Sequence, residues 1–105
     1  MAFDKRALQQ MQQMQAKMVK MQEDLQNSTF EGTSGGGAVT ITMSGKFDVT
    51  AVKLSQDVVD PEDVGMLEDL ILTACRDAFE KVSEAQAKMT QALMGGLKLP
   101  PGLGF

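Results

Sequence analysis

The strongest structural signal in the chain lies in VTITMSGKFDVTAVKL, residues 39–54. Val39, Ile41 and Met43 alternate with threonine and serine, and a period of two predicts a strand with one buried face. After a short turn around the serine-glycine-lysine sequence, a second strand is predicted over 47–54. Two such strands joined by a tight turn indicate an antiparallel hairpin.

A third, weaker strand is predicted immediately before this hairpin, over residues 29–33. The glycines at 35–37 would connect it to the hairpin. A glycine run can also cradle a phosphate, but that role needs a helix to follow, and a strand follows in this chain. The three strands together predict an antiparallel meander.

The first long helix is predicted over residues 4–27, which contain no glycine or proline and are rich in glutamine, methionine, lysine and alanine. Its length corresponds to about 36 Å. Apolar residues recur along it in steps of three and four, a heptad pattern that predicts a dimer interface. We call these residues the methionine stripe: Met11, Met14, Met18, Met21 and Leu25.

The second long helix is predicted over residues 60–93, with Asp60 as its N-cap and Pro61 at its first position. A continuous apolar face follows, and the glycines at 95–96 end the helix. The acidic residues between positions 57 and 69 are interpreted as a cap and a solvated face rather than a cation site. Beyond the helix, the proline- and glycine-rich tail at 97–105 is predicted to be flexible.

The predicted order is therefore α-β-β-β-α, an α+β fold in which residues 1–96 form a single domain. One helix suffices to cover one face of a three-stranded sheet, so the methionine stripe lacks a partner within the chain. A second copy is the simplest partner, because two-fold dimers are the commonest assemblies. Two alternatives stay open: the first helix folds back on its own sheet, or the stripe binds a variable partner, since methionine packs adaptably.

Composition limits the possible functions of these 105 residues, which have a net charge of −4. Histidine is absent and cysteine occurs once, at Cys75, so no nucleophile–base pair and no histidine-based metal site can be assembled. Cys75 is predicted to be a small core residue. We expect no signal peptide, membrane span, cofactor, metal or small-molecule substrate, and a cytoplasmic protein that is not an enzyme.

The first helix carries positive charge without any acid between residues 5 and 22. Its basic residues are Lys5, Arg6, Lys17 and Lys20. Together with several glutamines, they could contact the phosphates and base edges of DNA. A solvated outer face of a helix pair explains the same pattern, and the residues alone leave both interpretations open. The absence of interleaved aromatic residues disfavours single-strand stacking.

Three parts of the chain, taken together, resemble the YbaB/EbfC family of bacterial nucleoid-associated proteins. The first is the glutamine- and methionine-rich helix at 11–23. The second is the triple glycine leading into a strand at 35–39, followed by the turn at Gly45. The third comprises residues 60–71 and the Leu-Pro-Pro-Gly sequence at 99–102.

This resemblance implies a tweezers-like homodimer whose helices project from a joined sheet core. It also implies binding of double-stranded DNA, association with the nucleoid and a role in nucleoid organisation or gene regulation. The residues that it points to as DNA contacts are Lys5, Arg6, Lys17, Lys20, Lys81 and Lys88. The alternative function is a protein-interaction module that binds a partner protein through its methionine-bearing helical arms.

Overall fold

The structure is a computed structural model that describes residues 5–96; the predicted flexible tail at 97–105 lies outside this range. Five main elements follow one another in the predicted α-β-β-β-α order, which confirms the α+β fold. They are α1 (Lys5–Asn27), β1 (Thr29–Ser34), β2 (Val39–Ser44), β3 (Val49–Leu54) and α2 (Val64–Gly96). None of the described helices combines the length and apolarity that crossing a membrane requires.

The three strands form the predicted antiparallel meander, in the order β1-β2-β3. Ile41 in the central strand pairs with Gly32 on one side and Val52 on the other. The connection at Gly35–Gly37 is a single tight helical turn in which all three glycines have positive φ angles. Only glycine adopts such angles without a steric penalty, so the triple glycine is a structural requirement of this turn.

The third strand is shorter than predicted, because it begins at Val49 rather than at Phe47. Phe47 has a φ angle of +67°. Its backbone amide donates to the carbonyl of Ser44 at 3.0 Å and thereby closes the turn. A left-handed backbone cannot continue a strand, so the apolar character of Phe47 was misleading in the sequence.

The core lies between the inner face of β1 and β2 and one side of α2. Val39 and Ile41 are fully buried against Ala74, Ala78 and Val82 of the helix. Small residues on both sides bring the backbones close together. At Gly32 a side chain would collide with the backbone at Ala74 and Ala78, so helix and sheet can approach only because this position is glycine.

The second helix begins at Val64, four residues later than predicted. Its capping residue is Asp63, whose carboxylate accepts the amide of Met66 at 3.2 Å. Asp60 instead accepts the amide of Glu62 at 2.9 Å and its carbonyl accepts the amide of Asp63, which makes a separate turn. Both aspartates carry a capping signal, and the prediction chose the wrong one. The helix also continues to Gly96 instead of stopping at residue 93.

The first helix projects from the body of the protein. No residue of α1 is buried, whereas α2 packs on the inner face of β1 and β2, so the alternative in which α1 folds back on its own sheet is wrong. Its C-terminal end is anchored where Leu25 lies against Gly45, so closely that a side chain at residue 45 would not fit. The longest dimension of the molecule is 75 Å, which exceeds the length of about 50 Å expected for α2 alone. We refer to α1 as the arm.

Candidate nucleic-acid interface

A row of long polar and basic side chains runs along one face of the arm. Its members are separated by steps of four, three, four and three residues, which place them on a single helix face. This row, the basic stripe, consists of Arg6, Gln10, Gln13, Lys17 and Lys20, all of which are exposed. Gln10, Gln13 and Lys17 line a shallow groove together with Met14. Lys5 is exposed on the neighbouring face.

The methionine stripe lies beside the basic stripe but is divided by the structure into two parts. Met11, Met14 and Met18 are exposed on the projecting arm. Met21 and Leu25 are half-buried, and Leu25 lines the junction of the arm with Gln86 and Met89 of α2. The lower part of the stripe therefore fixes the arm to the body, while the upper part presents apolar surface to solvent.

The two predicted contact lysines of α2 lie apart from the basic stripe, at the edge of β1. The Lys81 ammonium donates to the carbonyl of Glu31 at 2.7 Å and lies 3.3 Å from a carboxylate oxygen of Asp77. Lys88 lines the same cleft beside Glu84. Each of these lysines thus has a carboxylate close to it in the cleft.

Asp77 completes this arrangement by accepting the backbone amide of Thr33 at 3.0 Å. This hydrogen bond and the neighbouring Lys81 lower the pKa of the Asp77 carboxyl below its usual value. Asp77 and Lys81 together occupy one backbone donor and one backbone acceptor on the free edge of β1. That edge is consequently less available for pairing with another strand.

The acidic residues at the start of α2 lie at the end of the body opposite the arm. This placement follows from the packing of Leu70 near Gly35 at one end of the sheet and of Gln86 against Gly45 at the other. Within residues 5–96 no group of potential ligands is arranged to hold a metal ion. The basic, acid-free part of the arm at 5–22 and this acidic cluster thus lie at opposite ends of the molecule.

A surface that the sequence prediction missed lies on the inner face of β3, which α2 leaves uncovered. Val52 remains 51% exposed although it is paired with the fully buried Ile41, and Phe79 on the adjacent side of α2 remains 52% exposed. Phe79 packs against Phe47 with ring centroids 4.7 Å apart. We name this surface the β3–α2 apolar face and define it as Val49, Val52, Leu54, Leu72 and Phe79.

Two signals in the sequence could have revealed this face. The alternation within β3 places Val52 and Leu54 on the same side as the core residues of β2, and a register shift that the sequence does not signal adds Val49 opposite Met43. Leu72 and Phe79 also widen the apolar face of α2 beyond what one sheet contact needs. Cys75 lies at the border of this face and is half-buried against the core, in a cleft with Met43, Arg76, Phe79 and Glu80.

Comparisons with known proteins agree with this architecture. The model of the YbaB/EbfC DNA-binding family matches residues 2–97. A nucleoid-associated protein of Rhodopseudomonas palustris is 44% identical over 98 residues, covering 93% of each chain. One from Chloroflexus aurantiacus is 48% identical over 97 residues, covering 91% of this chain and 97% of its own.

A solved structure shows the same fold at a much lower sequence identity. The crystal structure of an uncharacterised protein from Helicobacter pylori aligns with a TM-score of 0.70 and 15% identity, covering 90% of this chain and 99% of that one. The family match extends over nearly the whole chain and includes both the arm and the sheet. The chain therefore belongs to the YbaB/EbfC DNA-binding family of nucleoid-associated proteins.

Proposed function

We propose that this protein is a non-enzymatic homodimer that binds double-stranded DNA through its arms and helps to organise the nucleoid or regulate genes. It would act in the cytoplasm, at the nucleoid. The observation that carries the proposal is the basic stripe on a projecting helix. In this stripe Arg6, Lys17 and Lys20 share one exposed face, and no acid occurs between residues 5 and 22.

The charge distribution supports contact with phosphates despite the net charge of −4. Lys5, Arg6, Lys17 and Lys20 give each arm four cations, and a dimer would present two such arms. Amide side chains at Gln10 and Gln13 add donors and acceptors that suit phosphate oxygens or base edges. Because the acidic cluster at the start of α2 lies at the opposite end of the body, a duplex bound to the acid-free residues 5–22 of the arms is distant from that cluster.

We propose Lys81 and Lys88 as secondary contacts only. Lys81 already donates to the Glu31 carbonyl and lies beside Asp77, so a phosphate would have to compete with these partners. Lys88 has Glu84 in its cleft. We expect both lysines to contribute less to affinity than the lysines of the arm.

The proposal that the protein is not an enzyme rests on its side chains. The chain contains no histidine, and its single thiol, Cys75, borders an apolar cleft next to Phe79. Covalent catalysis by a cysteine ordinarily requires a base within hydrogen-bonding reach. We assign no cofactor or small-molecule substrate.

One observation favours a second candidate function, a protein-interaction module. Met11, Met14 and Met18 are exposed along the arm, and methionine surfaces suit variable apolar partners. In that case the arms would grip a partner protein, and the basic stripe would serve mainly to keep them soluble.

A mobility-shift titration with a duplex of mixed sequence, at two salt concentrations, tests the proposal. Phosphate contact predicts that log affinity falls with log salt by about 0.9 for each phosphate neutralised. A dimer whose arm cations partly face the duplex should therefore show a slope of roughly −4 to −6. Absence of binding at low salt would contradict the DNA proposal and favour the interaction module.

A further inference from the structure

The middle of the basic stripe differs chemically from its ends. Arg6 stands at one end and Lys17 and Lys20 at the other, whereas the two positions between them, Gln10 and Gln13, carry neutral amides. We infer that the arm lies in the major groove of the duplex and that Gln10 and Gln13 recognise A·T base pairs there. This inference rests on the proposed binding of double-stranded DNA and specifies which bases the arm selects.

The dimensions of the arm fit the major groove and not the minor groove. A helix with its side chains is about 10–12 Å across. The major groove of B-DNA is about 12 Å wide, whereas the minor groove is only about 6 Å wide. No residue of α1 is buried, so the sheet does not cover the face that carries the basic stripe. This face is therefore open to a duplex along its length.

The spacing of the cations suits the two phosphate rows that border the major groove. Arg6 and Lys17 are separated along the helix axis by about 16 Å, and the groove between the phosphate rows is about 12 Å wide. With their long side chains, the two cations can therefore contact phosphates on opposite sides of the groove. Gln10 and Gln13 then lie over the base edges. Phosphate contacts fix the position of the helix, and base contacts provide the specificity.

The amide group of glutamine is complementary to adenine. It carries a donor and an acceptor in one plane, and the major-groove edge of adenine offers an acceptor at N7 and a donor at N6. A single glutamine can therefore form both hydrogen bonds with one adenine. Guanine offers two acceptors at this edge, which suit arginine or lysine instead. The amides at Gln10 and Gln13 consequently favour A·T over G·C pairs.

An apolar side chain beside these amides strengthens the same preference. Gln10, Gln13, Met14 and Lys17 line one shallow groove on the arm, and Met14 is exposed. The thymine of an A·T pair presents its methyl group in the major groove, where apolar side chains contact it. A G·C pair has no such methyl group. The groove on the arm thus combines an amide for adenine, an apolar contact for thymine and a cation for a neighbouring phosphate.

Titrations with two duplexes of equal length, followed by fluorescence anisotropy at one salt concentration, test the inference. The first duplex contains only A·T pairs, in an order that avoids stiff A-tracts. In the second, inosine·cytosine replaces every A·T pair. Because inosine lacks the amino group of guanine, the minor grooves present the same pattern and only the major grooves differ. We expect the parent protein to bind the A·T duplex at least about fivefold more tightly.

Two double variants with the same residue types assign the preference to particular side chains. Gln10→Ala/Gln13→Ala should bind both duplexes with equal affinity and keep the salt slope of the parent, because its phosphate contacts remain. The control, Gln12→Ala/Gln15→Ala, lies two residues further along, about 200° around the helix axis, and should retain the preference. Alanine favours a helix at least as well as glutamine, so both variants should keep the arm folded.

The outcomes separate this inference from the proposed function. A parent that binds neither duplex would refute DNA binding, and the inference with it. A parent that binds both duplexes equally, or that prefers inosine·cytosine, would leave DNA binding intact and overturn the inference. A preference that persists in the Gln10/Gln13 variant, or that the Gln12/Gln15 control loses, would overturn it as well.

A change in the DNA gives a second test that does not depend on the folding of a variant. Replacing adenine by 7-deazaadenine in the A·T duplex removes the N7 acceptor from the major groove. The affinity of the parent should fall by roughly 3–10-fold, the effect of losing one hydrogen bond. The Gln10/Gln13 variant should bind the two forms of this duplex equally. An unchanged affinity of the parent would overturn the inference.

Discussion

The carboxylate of Asp77 on α2 accepts the amide of Thr33 on β1 at 3.0 Å, across the edge of the sheet. This bond and the adjacent Lys81 lower the pKa of Asp77. A carboxyl whose folded-state pKa lies below its unfolded value stabilises the fold above that unfolded value, which is about 3.9. The stabilisation is lost as the pH falls through the lowered folded-state pKa.

We therefore expect Asp77→Asn to melt at a lower temperature than the parent at pH 7. The difference should begin to shrink below about pH 4, where the carboxyl of the unfolded chain takes up a proton, and should disappear as the pH falls through the lowered folded-state pKa of Asp77. Circular dichroism melting curves at pH 7 and pH 3 measure this. Asp69→Asn, on the exposed surface of α2, is the control and should change little at either pH. An unchanged gap between Asp77→Asn and the parent at pH 3 would contradict the explanation.

The close approach of β1 to α2 predicts a strong effect at Gly32. A methyl group there meets the backbone at Ala74 and Ala78, which cannot move aside cheaply. We expect Gly32→Ala to lower the free energy of unfolding by about 1–3 kcal/mol, measured by urea denaturation. Gly65→Ala, where the added methyl meets nothing within 4 Å, should be neutral or stabilising by about 1 kcal/mol. Equal effects at the two positions would argue against tight packing at Gly32.

The sequence and the structure assign different aspartates as the cap of α2, and substitutions can test which of them caps the helix. Asp63 caps the helix, whereas Asp60 belongs to the preceding turn. Asp63→Ala should therefore cost about 1 kcal/mol of unfolding free energy and reduce helical circular dichroism. Asp60→Ala should cost less and leave the helical signal intact. If Asp60→Ala caused the larger loss of helix, the helix would begin where the sequence first suggested.

The basic stripe predicts a sequence-independent loss of DNA affinity in Lys17→Gln/Lys20→Gln. A dimer of this variant lacks four cations, so the salt slope should become shallower by up to roughly 3–4. Affinity should fall for all duplex sequences alike, because phosphate contacts carry no base information. Lys53→Gln, which removes a charge from the outer face of β3, is the control and should leave the affinity and the salt slope nearly unchanged. A double variant that binds with the parent's affinity and slope would remove these lysines from the site.

Much of the fold could be predicted because local patterns and tertiary contacts agree. The alternation around Ile41 specified a strand with one buried side, and the triple glycine specified a connection. The prediction was wrong where two local signals compete, as between Asp60 and Asp63, or where a turn needs an unusual backbone angle, as at Phe47. In such cases the tertiary contacts decide which conformation forms, and local sequence preferences carry no information about those contacts.

The candidate site was less accessible to sequence reasoning. The sequence shows that the arm is rich in basic residues. It does not show that Lys81 differs from them, because the hydrogen bond that engages Lys81 is made with the carbonyl of Glu31, 50 positions earlier in the chain. The exposure of Phe79 depends on which strands α2 covers, and periodicity along one helix does not specify that. Both features are set by packing between distant segments.

The absence of any buried residue in α1 has a dynamic consequence. Beyond the half-buried Met21 and Leu25, this helix of 23 residues remains folded mainly through its own backbone hydrogen bonds, and isolated helices of similar length are only marginally stable in water. Amide hydrogen exchange should therefore become faster from Leu25 towards Lys5, through local opening that leaves the sheet intact. A bound duplex would slow this exchange. Ordering the arms would then offset part of the favourable free energy of DNA binding. The affinity for DNA would also depend on temperature, because the helix–coil equilibrium of α1 does.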